Sequence, residues 1–280
     1  MSEWHKLVAR RESLSEIRTI LDAMKGFAFT ETRKLARVLE AQRALVANLE
    51  TVALDFRGFF PGLFADTPAQ QRGPTVYLVL GTERGFCGDI NRKLFNAVEA
   101  MLVDASPSDH RLFIVGQKLQ GLMRGHPQVT ACLDGASALE DIDAVLLRLV
   151  DTLSQHQGKL AWGYMRILYL GTDGEPVSTQ LLPPFQFLQA TAPLASIPPL
   201  LQLAPGEFYQ QLSHQYLHAL INQILTSSLM NENRQRVTHL DQAVSHLEDR
   251  EDELRRRSNR LRQEEITEEL EVILLSADNR

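Results

Sequence analysis

The chain has 280 residues, 44% of them hydrophobic and 23% charged, which suits a folded protein and excludes wholesale disorder. Twenty-nine Lys and Arg stand against 35 Asp and Glu, and the formal net charge of −6 disfavours holding nucleic acid by counterion release. Two Cys cannot build a disulfide framework and suit a reducing compartment. The start, Met1 to Leu7, lacks the apolar run of a signal peptide, and no stretch approaches the ~20 apolar residues of a membrane span. The sequence thus predicts a soluble chain without direct lipid insertion.

Residues 3 to 56 contain no Pro and a single Gly, Gly26. Leu7, Leu14, Leu21, Ala28, Leu35 and Leu49 recur on one heptad line, interrupted by Gln42. Ile17, Met24, Val38, Leu45 and Val52 offer a companion line, broken by Arg10 and Glu31. A stripe sustained over about seven heptads predicts a coiled-coil helix on the order of 80 Å long. Breakers from Gly58 to Gly62 and from Pro68 to Pro74 then read as a linker.

From Pro74 the period changes. Val76 to Leu80, Leu112 to Val115, Val129 to Leu133 and Arg166 to Leu170 are short apolar runs that predict buried strands. Helical patterns fall between them at Asn91 to Val103, after Gln117, and at Ala138 to His156. Val177 to Leu188 suits an edge strand interrupted by Pro183 and Pro184. This alternation defines an α/β domain with a mainly parallel sheet. Residues 191 to 206 form a second Pro- and Ala-rich linker.

Beyond Gly206 there is no further Pro or Gly. Leu240, Leu247, Leu254 and Leu261 make a second heptad line, with Val237, Val244, Glu251 and Ser258 beside it, so that seam turns polar. The fold class is therefore α/β, with long N- and C-terminal helices forming an antiparallel coiled coil and a Rossmann-like α/β domain inserted between them. The expected segments are 1–57, a linker 58–73, the α/β domain 74–190, a linker 191–206 and the C-terminal helix 207–280.

The turn Gly81-Thr82-Glu83-Arg84-Gly85-Phe86-Cys87-Gly88-Asp89-Ile90-Asn91 stands where such a sheet places a site. A dinucleotide fingerprint would need glycines at Glu83 and Phe86, and no Lys-Ser/Thr pair follows as in a phosphate loop. A nucleophile elbow on Cys87 would need glycine at Asp89. The favoured reading is a tight turn allowing close strand–helix packing, with Asp89 or Asn91 capping the next helix. His214 and His218 share a helix face without a third metal ligand nearby, and Cys132 reads as a core residue. Arg255 to Arg257, with Arg260 and Arg262, lie between acidic stretches, unlike a basic region that precedes a zipper. They read either as a solvated charged face or as a protein-docking face.

Three stretches resemble one family, the gamma subunit of F-type ATP synthases. Asn259 to Leu270 follows the family's C-terminal signature almost position for position, and Thr82 to Asn91 is similar to its central turn. Ile17-Arg18 through Ala23-Met24-Lys25 resembles its N-terminal helix. Glu83, Phe86 and Asp89 depart from the usual Asp, Leu and Gly, and Glu31 stands where the family carries a basic residue.

The resemblance implies a central shaft that couples ion flow through a membrane ring to ATP chemistry on the alpha and beta subunits. It implies no catalytic residue, no cofactor and no metal in this chain. Met24, Arg260, Arg262, Gln263 and Thr267 match positions facing the beta subunit. Arg84, Gly85, Cys87, Gly88 and Asn91 match the central turn. An epsilon subunit and the membrane c-ring are the further implied partners, with a peripheral place at the cytoplasmic face of a bacterial inner membrane. The rival reading is a cysteine-dependent α/β enzyme using Cys87, with its helices as oligomerisation arms.

Overall fold

The computed structural model describes residues 3–64, 73–103, 110–157, 163–188 and 198–278. The stretches 65–72 and 191–197, read above as parts of the two linkers, lie outside the described residues. The chain divides into two compact units, one of 1–29 with 236–280 and one of 30–235. Two helices contribute to both: α1 (Glu3–Phe59) and α5 (Pro205–Asp278), of 57 and 74 residues. At 1.5 Å per residue they are about 85 and 110 Å long. Pro205 occupies the first turn of α5, where its missing N–H costs nothing. α1 runs past Gly58, and a short 3-10 helix, Pro61–Phe64, follows within the stretch read as linker. Phe56, Phe60, Phe64, Phe208 and Tyr209 make an aromatic cluster that holds this end in place.

In the first unit the helices pair antiparallel. Arg257 reaches Glu3 at 3.1 Å, Arg18 reaches Glu251 at 3.3 Å and Lys25 reaches Asp241 at 3.2 Å, so partners on α5 fall in number as those on α1 rise. The α5 seam is the expected one: Leu240 and Val244 are buried, followed by Leu247, Glu251, Leu254, Ser258 and Leu261.

On α1 the Leu7-Leu14-Leu21-Ala28 line faces inward as expected, but its companion differs. The half-buried second line is Trp4, Arg11, Arg18 and Lys25, whereas Ile17 is 45% exposed. A heptad line can take a companion either three or four residues on. Hydrophobicity alone selects the apolar one, but acidic residues on α5 pair with the basic one. In the second unit Leu39, Val46 and Ala53 are buried and Leu45 and Val52 are exposed. Met24 and Val38 of the expected companion line are half-buried, so that line is corrected at Ile17, Leu45 and Val52 only.

In the second unit the sheet has the order β3-β2-β1-β4-β5. Its strands are β1 (Thr75–Leu80), β2 (His110–Val115), β3 (Val129–Leu133), β4 (Met165–Leu170) and β5 (Pro176–Leu182). The first four are parallel and β5 is antiparallel at one edge. Alternate residues serve opposite faces. Val79, Leu112, Ile114 and Leu168 pack with α2 (Ile90–Leu102) and α3 (Gln117–Leu122). Val76, Leu78, Phe113 and Ile167 pack with α4 (Ile142–Gln157) and with buried positions of α1 and α5 such as Leu35, Leu39, Ile221 and Ile224. The long helices are thus part of the domain's own core.

Cys132 is exposed, contrary to the core reading of its apolar run. It sits on β3, the strand at the other edge of the sheet, where one side of the ladder has no covering strand.

Candidate functional site

The turn after β1 is closed by its own polar groups. The Thr82 amide donates to Asn91 Oδ1 at 2.9 Å, Asn91 Nδ2 donates to Thr82 Oγ1 at 2.8 Å, and Thr82 Oγ1 donates to the Arg84 carbonyl at 3.1 Å. Asn91 therefore ties the turn together rather than capping α2, and Asp89 makes no side-chain capping bond either. Gly88 has φ +64°, the left-handed region where a side chain is strained. Gly81 answers a different need: a Cβ there would stand 2.3 Å from Leu119 Cβ, so this glycine lets β1 and α3 close together. The expected close packing exists, but against α3 rather than α2.

Glu83 spans outward from the turn. Its Oε2 accepts the Gln117 amide at 3.1 Å and the Gly135 amide at 2.7 Å. Arg84 Nε donates to Ser137 Oγ at 3.1 Å. Cys87 is 4% exposed, and its thiol points at the Arg84 and Gly85 carbonyls and, at 3.8 Å, at Glu232 Oε1 of α5. A nucleophile elbow presents its nucleophile to a substrate, whereas this thiol is enclosed and spends its proton on oxygen acceptors.

β1 has β2 on one side and β4 on the other, so the topological switch point lies at the carboxyl ends of β1 and β4. Doubly wound sheets keep their ligand crevice there. In this chain α5 fills it. Asn231 Nδ2 donates to the Leu170 carbonyl at the end of β4 at 3.0 Å, and Glu232 meets Cys87 beyond β1. Both α5 residues are 5% exposed. The Rossmann-like topology thus holds a helix where relatives of that topology hold a nucleotide.

The residues matched to the beta-facing positions separate into three places in the first unit. Arg260, Gln263 and Thr267 share one exposed α5 face, around a shallow depression also lined by Glu264 and Glu268. Thr267 Oγ1 donates back to the Gln263 carbonyl at 2.8 Å. Arg262 lies on another side, with its guanidinium 5.8 Å from the centroid of the Trp4 ring. Met24 is half-buried on α1, 20 residues from Trp4 and so about 30 Å further along that helix. The basic run of α5 is divided likewise, since Arg257 pairs with Glu3 while Arg262 lies over the Trp4 ring and Arg260 lines the exposed depression.

His214 and His218 are exposed and line an apolar cavity of about 700 Å³ with Leu146, Val150, Leu182 and Leu217. Among the described residues no group of three or more His, Cys, Asp or Glu is placed to hold a metal ion. No described helix is long and apolar enough to cross a membrane. Sequence reasoning missed Glu31, Glu232 and Asn231 as organising residues. For Glu31 the one legible signal was Lys34 at i+3. For the α5 pair there was none, since their partners lie 61 and 145 residues away.

The first unit is an antiparallel helix pair with a partly charged seam, and the second is a doubly wound domain whose ligand crevice holds α5, which defines the class of proteins with an α/β domain inserted between two long helices. The family model described as ATP synthase matches residues 4–278. The ATP synthase gamma chain of Polaromonas sp. (strain JS666 / ATCC BAA-500) is 25% identical over 287 aligned residues, covering 99% of each chain. A chain of the Euglena gracilis mitochondrial ATP synthase, OSCP/F1/c-ring, in rotational state 3, superposes with TM-score 0.65 at 16% identity, over 97% of this chain and 92% of that one. A chain of the Tetrahymena thermophila mitochondrial ATP synthase central stalk/c-ring superposes with TM-score 0.55 at 17% identity, over 80% and 99%. The chain belongs to the ATP synthase gamma-subunit family, whose members are non-catalytic subunits of the complex. The Cys87-enzyme reading is set aside.

Proposed function

We propose that this chain turns inside a head of alpha and beta subunits and carries torque between that head and a membrane ring. ATP is bound and cleaved on the beta subunits, and each one's open or closed state is favoured by the face of the shaft it meets, a population shift imposed by position. The observation that carries this reading is the α1–α5 pair of the first unit. Its seam mixes leucines with ion pairs, while Ile17, Ile20, Phe27, Ile266 and Leu270 face outward. Such a surface suits contacts that must form and break in turn.

Arg260, Gln263 and Thr267 are the α5 residues that meet the beta subunit in this reading, with Arg262 and Met24 as further contacts. The α/β domain, bounded at 74–190, meets epsilon and the c-ring; the apolar cavity beside Val150 supports a docking role for this end of the domain. The chain acts from the cytoplasmic face of a bacterial inner membrane, without entering lipid.

The test is co-expression with cognate alpha and beta subunits, followed by sizing and ATPase assay with and without this chain. One copy per three alpha–beta pairs, with turnover that depends on it, is the expected result. Failure to assemble with cognate partners sinks the proposal. Within the complex, Arg262→Ala together with Gln263→Ala should lower coupled turnover while the chain stays folded, and unchanged turnover counts against that contact.

A further inference from the structure

The loop 134–141, between β3 and α4, is gripped by carboxylates from three directions, all within the second unit. From α1, Glu31 Oε2 accepts the Leu139 amide at 3.2 Å, while Glu31 Oε1 takes Lys34 Nζ at 2.7 Å. Lys34 also reaches Glu140 at 3.3 Å. Within the loop, Asp141 Oδ2 accepts the amides of Ser137 and Ala138 at 2.9 and 3.0 Å. From the turn after β1, Glu83 takes the Gly135 amide and Arg84 holds the Ser137 hydroxyl. That same turn reaches α5 through Cys87 and Glu232. A continuous polar belt therefore runs from α1, through the loop and the turn, to α5.

Glu31 is the unusual member. It is 1% exposed, and burying a carboxylate is costly unless both oxygens are used. Here both are used, one on a cation and one on a backbone N–H, and charge-assisted bonds of this kind are the stiffer ones. We infer that this belt, beside the apolar packing of Leu35, Leu39, Ile221 and Ile224, is a mechanical joint through which the α/β domain drives α1 and α5, and that Glu31 is its positioning residue. The inference rests on the torque-transmitting reading above and assigns the central turn a load-carrying role rather than a ligand.

The test uses the assembled complex in ion-tight vesicles, comparing wild type with Glu31→Ala, Glu31→Lys and Glu31→Gln. The readouts are the ratio of ions moved to ATP hydrolysed, and amide hydrogen exchange at residues 135–139. Alanine and lysine should lower the ratio and speed exchange at Leu139. Glutamine keeps an acceptor and should retain most of the coupling. An unchanged ratio despite faster Leu139 exchange overturns the inference, as does unchanged exchange, or a glutamine variant as defective as alanine. Should Glu31→Ala fail to assemble, Ser137→Ala, which removes the hydroxyl held by Arg84, should show a smaller drop in the ratio, and no drop overturns the inference. A wild-type complex whose turnover ignores this chain is a separate outcome and removes the parent reading instead.

Discussion

Gly81 shows how tightly single atoms are placed around the central turn. Glycine there admits Leu119, and Gly81→Ala should destabilise the chain by about 1–3 kcal/mol, as overpacking does, read by urea denaturation of the isolated chain. Tyr216 gives a pH signature. Burial first, and then neighbouring Glu50, which accepts its hydroxyl at 3.2 Å, push its phenol well above the ordinary value. A group with a raised folded pKa lends stability that is whole below its unfolded pKa and declines as pH climbs above it. Stability should therefore decline above about pH 10, and Tyr216→Phe should flatten that decline in denaturation curves taken across pH 8–11. The two thiols should also part company: in the isolated native chain a maleimide should label exposed Cys132 while Cys87 stays protected. At this scale the sequence was legible where spacing is local. The Gly-rich turn announced itself, but the work of Asn91 and Glu83 did not, because their partners are fixed only once β1, α3 and the loop after β3 have assembled.

Between elements, burial decides more than charge. Leu35→Ala removes a fully buried seam side chain and should cost about 2–5 kcal/mol. Arg18→Ala breaks its pairing with Glu248 and Glu251 near solvent and should cost under about 1 kcal/mol, falling further in high salt. Chemical denaturation of both variants checks the ranking. Strand and helix periods were readable because the period-2 and period-3.6 patterns each report burial within one element. The leucine line of α1 was readable for the same reason. Its companion was not, since the choice between Ile17 and Arg18 as seam neighbour depends on Glu248 and Glu251, more than two hundred residues away. Gln42, which interrupts the leucine line, finds its reason the same way, donating to Asn222 of α5 at 2.8 Å. A polar pair in a seam tends to fix register at some expense of stability.

For the molecule as a working part, the outward line of Ile17, Ile20 and Phe27 is a surface at odds with an isolated existence. Replacing the three with Gln should make the isolated chain less prone to self-association in light scattering, and should weaken its assembly with alpha and beta subunits. A variant that assembles as well as wild type counts against that face as an interface. The overall class was legible from the ordering of periods along the chain. The filled crevice was not, because nothing local in residues 229 to 233 marks them as the ligand of a sheet built from residues 75 to 182.

That filling sets a schedule for synthesis. β1 and its turn leave the ribosome early, yet Cys87 waits for Glu232, 145 residues later in the chain, and β4 waits for Asn231. Contacts of such long sequence separation slow folding. The nascent domain must carry an open crevice until the stretch of α5 from Pro205 to Glu232 has emerged, and a chain arrested before Asn231 would present chaperones with an unfinished sheet.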